Sequence, residues 1–164
     1  MPDFSEIHLF AAAAELIDEL RSRRLTVATA ESCTGGNIAH AITAIAGASD
    51  VMLGGVVSYA NEVKTALLGV DPADIAAHGA VSRPVVEQMA LGACRATGAS
   101  CSMATSGIAG PGGGSPEKPV GTVWMAWCIN GTVTSRLCHF AGDRTAVINQ
   151  ATLQAICTLH QLLS

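Results

Sequence analysis

Apolar positions along this chain recur at two different periods, and the switches between them mark its elements. Across residues 5–23, Leu9, Phe10, Ala13, Leu16, Ile17 and Leu20 fall at helical spacing. Arg21, Arg23 and Arg24 favour the C-terminal end of that helix. Residues 25–30 form a short apolar run that predicts a buried strand, and a helix over 35–46 follows. Residues 51–59 predict a second strand, bent by Gly54-Gly55. A short helix runs from Asn61 to Gly69. Asp71-Pro72 opens another, with Asp as cap and Pro at the first position. Ser82-Arg83-Pro84 opens a longer helix over 84–97 by the same logic, and 100–105 reads as a strand. Residues 107–121 are too rich in Gly and Pro for regular structure. Segments 122–129 and 132–140 are β-rich and flank Asn130-Gly131, a strong hairpin signal. A helix over 143–163 closes the chain, with Asp143 near its positive end.

Strands alternating with helices and ending in one hairpin imply an α/β fold. The expected architecture is a three-layer sandwich with a mostly parallel sheet and an antiparallel edge hairpin. The 164 residues show no repeat or linker, so one domain over 1–164 is expected. Hydrophobic residues make up 49% and charged residues only 13%, which argues for a globular chain whose apolar surface is partly covered by a copy of itself. The net charge of −4 and the lack of a basic run speak against nucleic acid as a partner. No apolar stretch reaches membrane-spanning length, and the acidic N-terminus lacks a signal peptide's basic region. A cytoplasmic protein is expected. The six cysteines lack framework spacing and read as small buried apolar residues; the five histidines lack metal-ligand spacing, so no metal is expected.

Candidate chemistry centres on Ala30-Glu31-Ser32-Cys33-Thr34-Gly35-Gly36, at a strand-to-helix turn. Backbone N–H groups at a helix start can hold an oxyanion or a phosphate. Ser32 reads as a nucleophile or, with Thr34, as a helix cap; Cys33 is a rival thiol nucleophile. A Ser nucleophile needs a base, and Lys64 serves if burial lowers its pKa. Lys64 reads equally well as a solvated side chain, and Tyr59 as a proton relay, a substrate contact or a residue at the core's edge. The glycine-rich loop is neither a P-loop nor a dinucleotide fingerprint; it is a mobile surface loop or a cover for a small ligand. Arg144 can grip a phosphate with its planar fork or form a surface pair with Asp143.

Taken together, several long motifs resemble the CinA C-terminal-domain family across almost the whole chain. They are Ala30 to Gly36, Val57-Ser58-Tyr59-Ala60-Asn61-Glu62-Val63-Lys64, Leu67 to Val70, Gly79 to Ser82, Ser106 to Gly114 and Lys118 to Val123. The resemblance implies a stand-alone amidohydrolase that converts nicotinamide mononucleotide to nicotinic acid mononucleotide and ammonia, without a cofactor. It implies Ser32 as nucleophile, Lys64 and Tyr59 as base, and the backbone at Thr34, Gly35 and Gly36 as oxyanion donors. Expected substrate contacts are Glu31, Asn61, Thr105, Ser106, Gly107, Gly110, Gly112, Gly113 and Arg144. Two positions depart from the family pattern: Ser106 stands for a Thr, and Ile148 for a second Arg, which throws weight onto Arg144. Ile148 keeps a second reading open, a nucleotide-binding or regulatory module without turnover. A phosphotransfer enzyme is disfavoured by the missing P-loop Lys and acidic metal pair.

Overall fold

In the computed structural model, which describes residues 6–164, the first apolar stripe becomes helix α1 (Glu6–Ser22) and buries Ala13, Leu16, Ile17 and Leu20. Position 5, the expected start, lies outside the described residues. Past its end the chain turns through Arg24 in the left-handed region, at φ 57°. There the Leu25 N–H donates back to the Leu20 carbonyl at 2.9 Å. That wrap uses up residues 23–25, and strand β1 (Val27–Glu31) begins two residues later than the apolar run suggests and carries Glu31 as its last residue.

Helix α2 (Asn37–Thr43) is shorter than expected. Gly35 and Gly36 cannot be its first turn, because both hold positive φ, 59° and 98°, a region open to glycine and costly for other residues. A 3₁₀ turn over Ala48–Asp50, not foreseen from the sequence, leads into β2 (Met52–Val57). Helices α3 (Asn61–Leu68), α4 (Pro72–His78) and α5 (Arg83–Thr97) follow near their expected positions. The Asp71 carboxylate caps α4 by accepting from the Ala73 N–H at 2.8 Å. Strand β3 (Cys101–Gly107) runs two residues past its expected end, because Ser106 and Gly107 still pair with Trp124 and Val123 of β4 (Thr122–Ile129). The irregular loop therefore starts at 108. Strands β4 and β5 (Thr132–His139) form the hairpin, with Asn130 and Gly131 both at positive φ, as its two-residue turn demands. Helix α6 (Arg144–Leu163) closes the chain.

The five strands lie in the order β2-β1-β3-β4-β5. Strands β2, β1 and β3 are parallel, and β4 and β5 are antiparallel to their neighbours. Helices α1, α2 and α6 cover one face, where Val27, Met103, Val123, Met125 and Trp127 fill the core. Helices α3 and α5 pack on the other face, over Ala28, Ala30, Ala104, Ala126 and Cys128. The two layers therefore differ in depth. On the small-residue side the elements come close: a Cβ on Gly92 of α5 would sit 2.0 Å from the Leu68 carbonyl at the end of α3. The C-terminal ends of the parallel strands β1 and β3 present Glu31-Ser32 and Thr105 to Gly107 side by side, as ligand crevices in open α/β sheets require.

Candidate active site

Ser32 follows the last residue of β1. Its backbone is held from both neighbouring strands: the Ser32 N–H donates to the Thr105 carbonyl at 3.0 Å, and the Ser58 N–H donates to the Glu31 carbonyl at 2.8 Å. The turn then closes through a 3.0 Å bond from the Gly35 N–H to the Ser32 carbonyl. Gly35 is thus committed to the turn, although it was expected to help hold an oxyanion. Among the described residues no hydrogen bond engages the N–H of Thr34 or Gly36.

The sequence offers the start of α2 as a seat for an anion. The structure fills it with the chain's own carboxylate. Gly36, the capping residue, has no side chain to offer. Glu31 reaches across instead: Oε1 accepts from the Ile38 N–H at 2.8 Å and from the Thr34 hydroxyl at 2.7 Å, and Oε2 accepts from the Ala39 N–H at 3.0 Å. Because the Thr34 proton goes to Glu31, the 2.8 Å contact between the Thr34 and Thr105 hydroxyls takes its proton from Thr105.

Lys64 comes from the first turns of α3 and is buried, 1% exposed. Its Nζ touches the Ser32 hydroxyl at 3.1 Å, the Ser58 carbonyl at 2.7 Å and the Tyr59 carbonyl at 3.2 Å. Burial lowers its pKa below 10.5, against the smaller opposing pulls of Cys33 and Glu62. In the neutral amine, two N–H bonds and one lone pair share these three directions. Carbonyl oxygens only accept, so the two protons go to Ser58 and Tyr59, and the lone pair faces the Ser32 hydroxyl. That is the orientation a general base needs. The rival thiol is disfavoured: burial pushes the Cys33 pKa up to about 11.

Tyr59 meets Lys64 through its backbone alone. Its phenol is 60% exposed and accepts at 3.0 Å from Nη2 of Arg144, whose Nη1 donates to the Gly110 carbonyl at 2.8 Å. Arg144 thereby ties the glycine-rich loop to the end of β2. Asp143 is engaged elsewhere, capping α6 by accepting from the Ala146 N–H at 2.9 Å. Ser32, Cys33, Tyr59, Arg144, Gly107 at the end of β3 and the loop residues Ile108 to Gly110, Gly112 and Gly113 line one cleft of about 270 Å³.

Four expected contacts lie elsewhere. Glu31 is spent on α2, and Thr105 on Thr34. The Ser106 hydroxyl donates to the Ala80 carbonyl at 2.8 Å. Asn61 faces α4 and lines a separate cleft with Thr65, Pro72 and Ile75. Ile148 is half-buried against the core and does not line the Ser32 cleft. Sequence reasoning missed the two carbonyls that orient Lys64, since no residue type signals a backbone acceptor.

Comparison with known proteins agrees with the motifs. The chain is 48% identical to nicotinamide-nucleotide amidohydrolase PncC of Escherichia coli K12, over 96% of both chains. It is 49% identical to the protein of the same name from Pseudomonas putida, over 92% of this chain and 94% of that one. The solved structure of the competence/damage-inducible protein CihA from Agrobacterium tumefaciens superposes with a TM-score of 0.93 at 41% identity, over 96% of each chain. The model of the CinA C-terminal domain matches residues 10–163, and the chain belongs to that family.

Proposed function

We propose that this protein hydrolyses the carboxamide of nicotinamide mononucleotide, releasing ammonia and nicotinic acid mononucleotide. The observation that carries the reading is Lys64 Nζ, buried and 3.1 Å from the Ser32 hydroxyl, with two carbonyls fixing its protons. The names of the relatives supply the substrate.

The neutral Lys64 takes the Ser32 proton as Oγ bonds to the carboxamide carbon. The N–H groups of Thr34 and Gly36 stabilise the resulting oxyanion. On collapse the C–N bond breaks, Lys64 returns the proton to the leaving nitrogen, and ammonia departs. A water then attacks the acyl carbon and gives its proton to Lys64, which hands it back to Ser32 as the ester breaks. Arg144 keeps further N–H donors for the substrate phosphate, and the glycine-rich loop covers the nucleotide. Tyr59, bound to Arg144, orients that guanidinium and aims its own proton at the ligand.

Self-association in the cytoplasm belongs to the same proposal. Leu53, Val57 and Leu67 leave apolar surface exposed around the β2 edge, and light scattering tests whether copies cover it. No helix among the described residues is long and apolar enough to cross a membrane. The test of function is ammonia release from a panel of pyridine nucleotides and the free nucleoside. Release from the mononucleotide is expected; release from none of them would favour a binding module.

A further inference from the structure

We propose that Glu31 is a positioning residue for the Ser32 nucleophile, acting as a clamp across the strand-to-helix turn and not as a substrate contact. The proposal rests on the reading of Ser32 as nucleophile. The turn has two ends. The strand end is held by backbone bonds from β2 and β3, through Ser58 and Thr105. Among the described residues the helix end has no backbone bond to these strands and no capping side chain at Gly36; Asn37 ties it instead to α6, its Nδ2 donating to the Thr152 hydroxyl at 2.9 Å. The Glu31 carboxylate joins the two directly: it leaves the residue before Ser32 and binds the second and third N–H groups of α2, Ile38 and Ala39, plus the Thr34 hydroxyl.

Two consequences follow from the chemistry of that carboxylate. First, it occupies the positive end of α2, so this helix cannot also hold a substrate anion. The phosphate must be met from α6 and the glycine-rich loop, where Arg144 stands. Second, three donors converge on one acceptor-only group, and no amide can replace it. If the oxygen of a glutamine faces Thr34 and Ile38, its NH₂ meets the Ala39 N–H; flipped, its NH₂ meets the Ile38 N–H. Either way one helix donor faces another donor, and the start of α2 moves away from β1. Aspartate, one methylene shorter, does not span both ends.

The test uses the intact protein and two readouts. One is steady-state ammonia release from the mononucleotide. The other is the rate at which a fluorophosphonate labels Ser32, which needs the activated hydroxyl but no nucleotide. For Glu31→Gln we expect kcat and the labelling rate both to fall by roughly ten- to a hundredfold, the cost of displacing a reacting group by about 1 Å. KM should stay within about twofold, because no ligand contact is lost. Should Glu31→Gln fail to fold by circular dichroism, Thr34→Val and Thr34→Ser make the same test: Val removes one donor to the carboxylate and should slow labelling, and Ser should restore it. A raised KM with unchanged kcat and labelling would overturn the clamp in favour of a substrate contact. Unchanged kcat, KM and labelling in Glu31→Gln, or in Thr34→Val if that variant is used, would overturn it outright. A wild-type protein labelled at Ser32 but releasing no ammonia would remove the substrate assignment alone, while absence of both would remove the nucleophile and the clamp with it.

Discussion

Replacing Lys64 by methionine keeps most of the side-chain volume and removes the amine, and its effect on stability against pH can be worked out in advance. Burial holds the folded pKa of Lys64 below the ordinary 10.5. At pH values under the folded pKa, the amine is charged in both states, and the native protein carries the full penalty of a buried ammonium. Between the folded pKa and 10.5 the unfolded chain binds one proton more than the folded one. Wild-type stability therefore rises with pH across that window, by about 1.4 kcal/mol per unit. Lys64→Met has no such group, so the difference between the two proteins should grow in favour of wild type as the pH rises. Urea denaturation at steps from neutral pH to about pH 10 measures it. Catalysis gives the matching signal. Only the neutral amine accepts the Ser32 proton, so wild-type kcat/KM should climb tenfold per pH unit below the folded pKa, at about 1.4 kcal/mol per decade. The variant should lose about 10²- to 10⁴-fold, the usual worth of a general base. Parallel stability curves for the two proteins would refute a lowered pKa. A wild-type rate flat with pH would refute the neutral amine as base.

Three further outcomes are expected. Ser32→Ala should abolish ammonia release while leaving the urea midpoint near wild type, because the hydroxyl's contact is with Lys64 and not with a helix end. Arg144→Ala should raise KM for the mononucleotide by roughly ten- to a hundredfold, the factor that losing a charge-assisted contact of about 1.5–3 kcal/mol represents; the phosphate-free nucleoside should be far less affected, and equal losses on both would show that Arg144 does not read the phosphate. Asp143→Ala removes the cap on α6 and should cost about 0.5–2 kcal/mol in denaturation, with Asp143→Asn largely restoring it.

Where a residue type compels local geometry, the sequence was legible. Asp71-Pro72 opened α4 and Asn130-Gly131 turned the hairpin, each where its chemistry placed it; α5 also opened after Ser82, but one residue early at Arg83 and without the expected cap, because the Ser82 hydroxyl donates to the Gly79 carbonyl. Boundaries set by distant partners were not legible. Strand β3 runs to Gly107 because β4 pairs with it, and β1 starts late, past the wrap at the end of α1. The site shows the same division. Residues 32, 59, 64 and 144 meet only through the topology, and it was the resemblance of the motifs that named them together. Glu31, Thr105 and Ser106 stand at motif positions, yet nothing local says whether such side chains face a ligand or a neighbouring backbone. The directions of Lys64's two protons depend on carbonyls, which every residue has and no sequence distinguishes.

The unequal depth of the two helical layers bears on how this protein tolerates mutational drift. On the deep side, Met103, Met125 and Trp127 form a core whose large side chains can exchange volume among themselves at modest cost. The shallow side has no such slack. Its residues over the sheet are mostly alanines, and Gly92 lies so close to the end of α3 that one added methyl group has nowhere to go. Lys64 rides on that same α3. A methyl gained at Gly92 therefore presses on α3, the helix that carries the base, even though that position touches no ligand. Drift and engineering for stability should accumulate beneath α1 and α6, while the thin layer stays fixed by the chemistry it sets in register.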